Sequence, residues 1–172
     1  MKTNQIHKGD CCEILKKEVP NESIDLIFAD PPYNLSGKSM EWKNKGMGGD
    51  WFKVNEKWDT MTESDYLKFT QEWLKESHRV LKSNGSIYIS CTYHNIGELI
   101  TVLKVLGFIP RNIITWHKNN AMPSMTRRTF THSCEYVLFF SKGKKWTFNY
   151  SAIKKMNPDK AKDGSEKQMR DF

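Results

Sequence analysis

The chain has 172 residues and a formal charge of +7, which is one domain of ordinary size with a preference for a polyanionic partner over an acidic one. No apolar run approaches the ~20 residues of a membrane span, and Met1-Lys2-Thr3-Asn4-Gln5 does not read as a signal peptide. Four cysteines (Cys11, Cys12, Cys91, Cys134) contain no CxxC pair, so neither a secreted disulfide framework nor a zinc site is expected, and a reducing cytoplasm is.

In chain order, Gln5 to Lys8 reads as a short strand and Cys11 to Val19 as a helix. Ile24-Asp25-Leu26-Ile27-Phe28-Ala29 reads as a buried parallel strand that stops at Asp30-Pro31-Pro32-Tyr33. Asn34 to Thr60 is polar and aromatic-rich, with Gly37, Gly46, Gly48 and Gly49 beside Trp42, Trp51, Phe52 and Trp58. Thr62-Glu63-Ser64-Asp65 caps a helix of good 3.6 period, Tyr66 to Leu81, stopped by Asn84-Gly85. Ser86 to Ser90 is a strand, Ile96 to Leu106 a helix ended by Gly107, and Ile109 to Trp116 and Tyr136 to Phe140 are two more strands. The order predicts an α/β domain with a doubly wound, mostly parallel sheet and an antiparallel final pair over 1–150. From 151 to 172 a basic polar tail follows; Trp146 to Tyr150 is a candidate last strand, and from Ser141 onward nine Lys or Arg oppose four Asp or Glu.

Asp30 to Tyr33 holds the most chemistry. Each proline fixes its own φ and pushes the preceding residue into an extended conformation, so the corner is stiff. It lies beyond the carboxyl end of a strand, where open α/β sheets place their sites. The Asp30 carboxylate and the Pro31 carbonyl can accept both hydrogens of an exocyclic amino group, and Tyr33 can stack on its base. Such an amine is a poor nucleophile, and two well-placed acceptors favour a pyramidal nitrogen with its lone pair free. A base inside a duplex must first be flipped out.

Phe28-Ala29-Asp30-Pro31-Pro32-Tyr33-Asn34 resembles the catalytic motif of amino-methylating DNA methyltransferases that use S-adenosylmethionine. The order Lys8-Gly9-Asp10-Cys11, Asp30 to Tyr33, Leu81 to Ile89, then Arg127 to Glu135 resembles their permuted β group from restriction–modification systems, over about Ile6 to Tyr150. An acidic first residue is similar to the adenine-N6 enzymes; N4-cytosine enzymes more often have Ser there, and enzymes acting on RNA or protein usually have Asn.

The resemblance implies S-adenosylmethionine as cofactor, with Asp10 (beside Cys11) on its adenine and Asp30 close by; spacing alone equally fits Asp10 as a helix cap. It also implies double-stranded DNA as partner. Trp42, Lys43, Lys45 and Trp58 then read as a lid on DNA, against the alternative of a small satellite core. Arg127 and Arg128 read as phosphate contacts, against a solvated pair. His94 and Asn95 sit at another strand's end, where either also serves as a cap. The family's second signature, an Asp-Pro-Phe-x-Gly-x-Gly block holding the methionine part of the cofactor, is absent from this sequence. The expectation is therefore an adenine-N6 DNA methyltransferase domain that needs a further half or a second polypeptide carrying that block. The alternatives are a catalytically dead basic DNA-binding module and an N4-cytosine enzyme.

Overall fold

The computed structural model describes residues 4–36, 57–121, 123–124 and 127–172. Helix α1 (Cys11–Glu18) starts beneath Asp10, whose Oδ1 accepts the Glu13 amide at 3.0 Å and satisfies one of the free N–H groups of the first turn. Strand β1 (Ile24–Ala29) follows. A single 3-10 turn (Lys57–Asp59) leads into helix α2 (Glu63–Val80). Thr62 caps α2 reciprocally, accepting the Asp65 amide at 3.1 Å and donating its hydroxyl to the Asp65 carboxylate at 2.7 Å. Tyr66, Thr70, Trp73, Leu74, Ser77 and Val80 are buried at three- and four-residue intervals, so one stripe of α2 faces the core. Arg79 donates to the Leu15 and Val19 carbonyls at 2.7 and 3.1 Å, which ties the carboxyl end of α1 to α2.

Strand β2 (Leu81–Cys91) begins at once, then helix α3 (Ile96–Val105), strand β3 (Ile109–His117) and strand β4 (Cys134–Ser141). Gly107, at φ +88°, ends α3: its own amide donates to Lys104 O at 3.1 Å and the Phe108 amide to Leu103 O at 3.0 Å. The sheet order is β1-β2-β4-β3, with β1 parallel to β2 and β4 antiparallel to both neighbours. The expected antiparallel final pair is present, and β1, β2 and β3 run the same way; the correction is that β4 inserts between β2 and β3, so two of the three ladders are antiparallel.

The double winding is corrected as well. Cys12, Trp73, Leu74, Leu99, Val102 and Leu103 of α1, α2 and α3 share one core with Ile87, Ile89, Cys91, Leu138 and Phe140 of the sheet. All three helices therefore cover one face. On the other face Phe28 lies in register with Tyr88, and Tyr88 with Phe139, on which it stacks at 4.4 Å. There Leu26 and Phe28 are 57% and 67% exposed, because no helix among the described residues covers them. β1 is thus parallel as expected but buried on one face only.

Three smaller expectations change. Gln5 to Lys8 forms no strand, since no ladder partner lies beside it among the described residues. Asn84-Gly85 lies inside β2 and does not stop α2; a Cβ on Gly85 would meet Leu81 Cδ2 at 2.9 Å and Asp25 O at 3.1 Å, so glycine permits the close approach of β1 where the register shifts. Trp146 to Tyr150 is not a strand, and helix α4 (Tyr150–Met156) starts at its end. Beyond it, the Thr115 amide of β3 donates to the Asp171 carbonyl at 2.7 Å, so the last residues run along the outer edge of β3. No helix among the described residues is long and apolar enough to cross a membrane.

Candidate active site

The register sets the site. Ala29 pairs with Ile89, Cys91 with Tyr136, and His117 with Cys134. The carboxyl ends of β1, β2 and β3 and the amino end of β4 therefore share one edge of the sheet. Asp30, Ser90 to His94, Lys118 and His132 to Glu135 all emerge there.

Asp30 is exposed, directly beyond the last residue of β1. The Tyr33 hydroxyl donates to Asp30 Oδ1 at 2.9 Å. No hydrogen bond among the described residues engages Asp30 Oδ2 or the Pro31 carbonyl, and Pro31 and Pro32 are half-buried. Burial, with the adjacent Asp30 carboxylate repelling a phenolate, holds the Tyr33 phenol far above its ordinary value, so it stays a donor. Tyr33 also lines a cleft of about 750 Å³ with Asn34, Leu35, Tyr66, His94 and Asn95. The corner is open to a ligand.

The turn after Tyr33 is held by a residue far along the chain, Asp59. Asp59 Oδ1 accepts the Asn34 amide at 2.6 Å, while Oδ2 accepts the Leu35 and Ser36 amides at 3.2 and 2.9 Å and the Ser36 hydroxyl at 2.7 Å. Asn34 answers by accepting the Met61 amide on its Oδ1 at 2.7 Å. Asn34 itself sits at φ +56°, in the left-handed region that Asn tolerates better than most residues. Although burial opposes its charge, the hydrogen bonds from 34–36 bring the Asp59 carboxyl below its ordinary value of 3.8. In acid, then, the unfolded chain takes up this proton first. The stability tied to Asp59 is complete above 3.8 and is lost as the pH falls through the lower folded-state value. Thermal melts from about pH 6 to about pH 3 are expected to show a smaller acid-induced drop in Tm for Asp59→Asn than for the wild type.

Asp10 caps α1 through Oδ1, with Cys11 exposed beside it. Cys12 and Cys91 are buried thiols, each pushed up to about 12 by desolvation, so neither offers a thiolate. At β2's end, Asn95 donates from Nδ2 to the Tyr66 hydroxyl at 2.8 Å and accepts the Thr92 amide at 3.0 Å, a buried brace for the cleft wall. Tyr93 stacks on His132 at 4.3 Å.

Of the expected DNA contacts, Trp42, Lys43 and Lys45 lie outside the described residues. Trp58 is 60% exposed, next to Asp59. Arg127 and Arg128 are exposed, on the connection between β3 and β4 that leaves the same sheet edge as Asp30. Trp116, at the end of β3, and Phe130, within that connection, are 59% and 96% exposed, and sequence reasoning passed over both as strand and loop residues. The Lys118 ammonium there is paired with Glu135.

Residues 24–171 match the family described as DNA methylase, comprising N6 and N4 methyltransferases. The chain belongs to the DNA methylase family. Its relatives in that family include the type II methyltransferase M.HinfI of Haemophilus influenzae, 42% identical over 161 residues (91% of this chain, 44% of the relative). The type II methyltransferase M2.MboI of Moraxella bovis is 39% identical over 165 residues (92% and 58%). The chain thus spans about half the length of these family members. Among solved structures, the M1.HpyAVI–SAM complex superposes with a TM-score of 0.57 at 26% identity, over 84% of this chain and 60% of that one. The cytosine-N4-specific PvuII DNA methyltransferase gives 0.63 at 20% identity, over 87% and 53%, which speaks for the fold alone.

Proposed function

We propose that this chain carries the catalytic corner of a restriction–modification DNA methyltransferase that transfers a methyl group from S-adenosylmethionine to adenine N6. The observation that supports this most is Asp30: an exposed carboxylate at the end of β1, one oxygen engaged by Tyr33, the other oxygen and the Pro31 carbonyl left for an amino group. Those two acceptors orient both amino hydrogens of a flipped base, and the Tyr33 ring lies beside them for stacking. When bound, the cofactor supplies an electrophilic methyl on a sulfonium. Asp30 and the Pro31 carbonyl would hold the amino group with its lone pair facing that methyl, and the Asp30 carboxylate would be available to accept the proton the methylated nitrogen sheds. An Asp at position 30, where N4-cytosine enzymes more often carry Ser, favours adenine over cytosine.

The acceptor set fits part of the cofactor. Asp10, with one oxygen on the α1 cap and the other exposed, suits the cofactor's adenine amino group, and Asp30 suits its cationic end. The glycine-rich cradle for the methionine part is not in this sequence, and we assign it to a second polypeptide segment docking on the open β1 side of the sheet. Arg127, Arg128 and the exposed Trp58 are assigned to double-stranded DNA, with Trp42, Lys43 and Lys45 as a lid, and 151–172 is the start of a recognition region.

The formal charge of +7 also suits a second reading, a basic DNA-binding module with a silent methyltransferase fold. Incubation with radiolabelled cofactor and DNA, with and without a polypeptide carrying the glycine-rich block, separates the two. Label on adenine only after that addition is the expected result. No label in any mixture, with salt-dependent DNA binding, rejects the enzyme reading.

A further inference from the structure

We propose that Asp59 is a positioning residue for the reaction, its carboxylate clamping the turn 34–36 so that Tyr33 is held at the cleft with its hydroxyl on Asp30. This rests on the methyltransferase reading of that corner and assigns a role to a residue that touches neither base nor cofactor.

The geometry carries it. Asn34, Ser36 and Asp59 are 7%, 5% and 8% exposed, so the carboxylate is withdrawn from water and satisfied almost wholly by this turn. Three consecutive backbone amides and one hydroxyl converge on its two oxygens. Successive N–H groups pointing the same way form a concave anion site, and the left-handed Asn34 bends the chain into it. Here the anion is the protein's own, delivered from 25 residues along the chain. The clasp is reciprocal, because Asn34 Oδ1 holds the Met61 amide.

Tyr33 is covalently next to the clamped residue and reaches back to Asp30 at 2.9 Å. The prolines stiffen the corner from its strand side and the bond to Asp30 holds the tip of the ring, but the backbone that follows Tyr33 needs an anchor of its own. Asp59 supplies that second anchor.

The test compares wild type, Asp59→Asn and Ser36→Ala as the full chain. Asn keeps the side-chain volume but presents an amide NH2 where amides must be accepted. Expected for Asp59→Asn are exchange of the 34–36 amides faster by about tenfold or more, a shifted Tyr33 ring resonance, and unchanged exchange in β2 and α3. In mixtures that transfer methyl, kcat is expected to fall by about tenfold or more with the KM for DNA within about twofold. Ser36→Ala removes one of the contacts, and a smaller shift of the Tyr33 resonance in the same direction is expected. Should Asp59→Asn fail to fold, Ser36→Ala decides, and an unmoved Tyr33 signal overturns the assignment. Unchanged Tyr33 signals or an unchanged kcat in a folded Asp59→Asn protein overturn it too. If the wild type transfers nothing in any mixture, the methyltransferase reading fails by itself, and the exchange and ring measurements still decide the clamp.

Discussion

Asp30→Ala is expected to lower methyl transfer by about 10³-fold while DNA affinity stays within about twofold. The carboxylate is exposed and makes one described hydrogen bond, to the Tyr33 hydroxyl, so its loss removes little from the fold. What it removes is the acceptor that orients the amino group, and an interaction of that kind acts in the transition state more than in binding. Asp30→Asn is the sharper variant. It is isosteric, but its NH2 would face donors and it carries no charge against the developing cation. Tyr33→Phe keeps the ring and loses the hydroxyl bond, so a fall of only about tenfold is expected, against a much larger one for Tyr33→Ala. Single-turnover transfer and fluorescence anisotropy on the same DNA check both quantities. Wild-type transfer by Asp30→Ala would show that the corner does not orient the reacting nitrogen.

The second large effect concerns the open side of the sheet. Leu26 and Phe28 are 57% and 67% exposed on the face opposite α1, α2 and α3, and the outer edge of β1 pairs with no strand among the described residues. Burying what remains exposed of these two side chains contributes about 2–4 kcal/mol together. The double variant Leu26→Glu, Phe28→Glu is therefore expected to weaken binding of a polypeptide carrying the glycine-rich block by about 10²-fold or more, and to abolish the transfer that block restores. The same variant is expected to reduce self-association of the isolated chain, since an unpaired apolar edge invites pairing. Isothermal titration and sedimentation velocity read the two effects. Undiminished binding by the double variant would place the docking surface elsewhere.

How much of this was legible in the residues differs from element to element. The α2 helix was, because Thr62 and Asp65 form a cap and Tyr66, Trp73, Leu74 and Val80 repeat at helical spacing, all within one short window. The end of α3 was legible for the same reason, a glycine at the position that needs a positive φ. The strand leading to Asp30 was legible, but its two-sided burial was not. An apolar run reports the faces a strand can bury, and whether both are covered depends on elements elsewhere. Gln5 to Lys8 failed on the same ground, since an extended run becomes a strand only beside a ladder partner.

At the site, Asp30, Pro31, Pro32 and Tyr33 could be read because they are contiguous and their stereochemistry is local. Asp10 was legible as a helix cap by its spacing. Asp59 was not, because its three backbone partners lie 23 to 25 residues away and carry no side-chain signature of their own. Arg79, which ties α1 to α2 across 64 residues, was hidden in the same way.

By itself, then, the sequence determined the stiff Asp-Pro-Pro-Tyr corner, the helix caps and the positive charge, because each is set by neighbours in the chain. Tertiary structure alone decided the insertion of β4 between β2 and β3, the bare face at Leu26 and Phe28, and the seating of Asp59 under the turn. Each of those depends on which distant segments meet, and hydrogen-bond satisfaction and burial fix that only once the whole sheet is assembled.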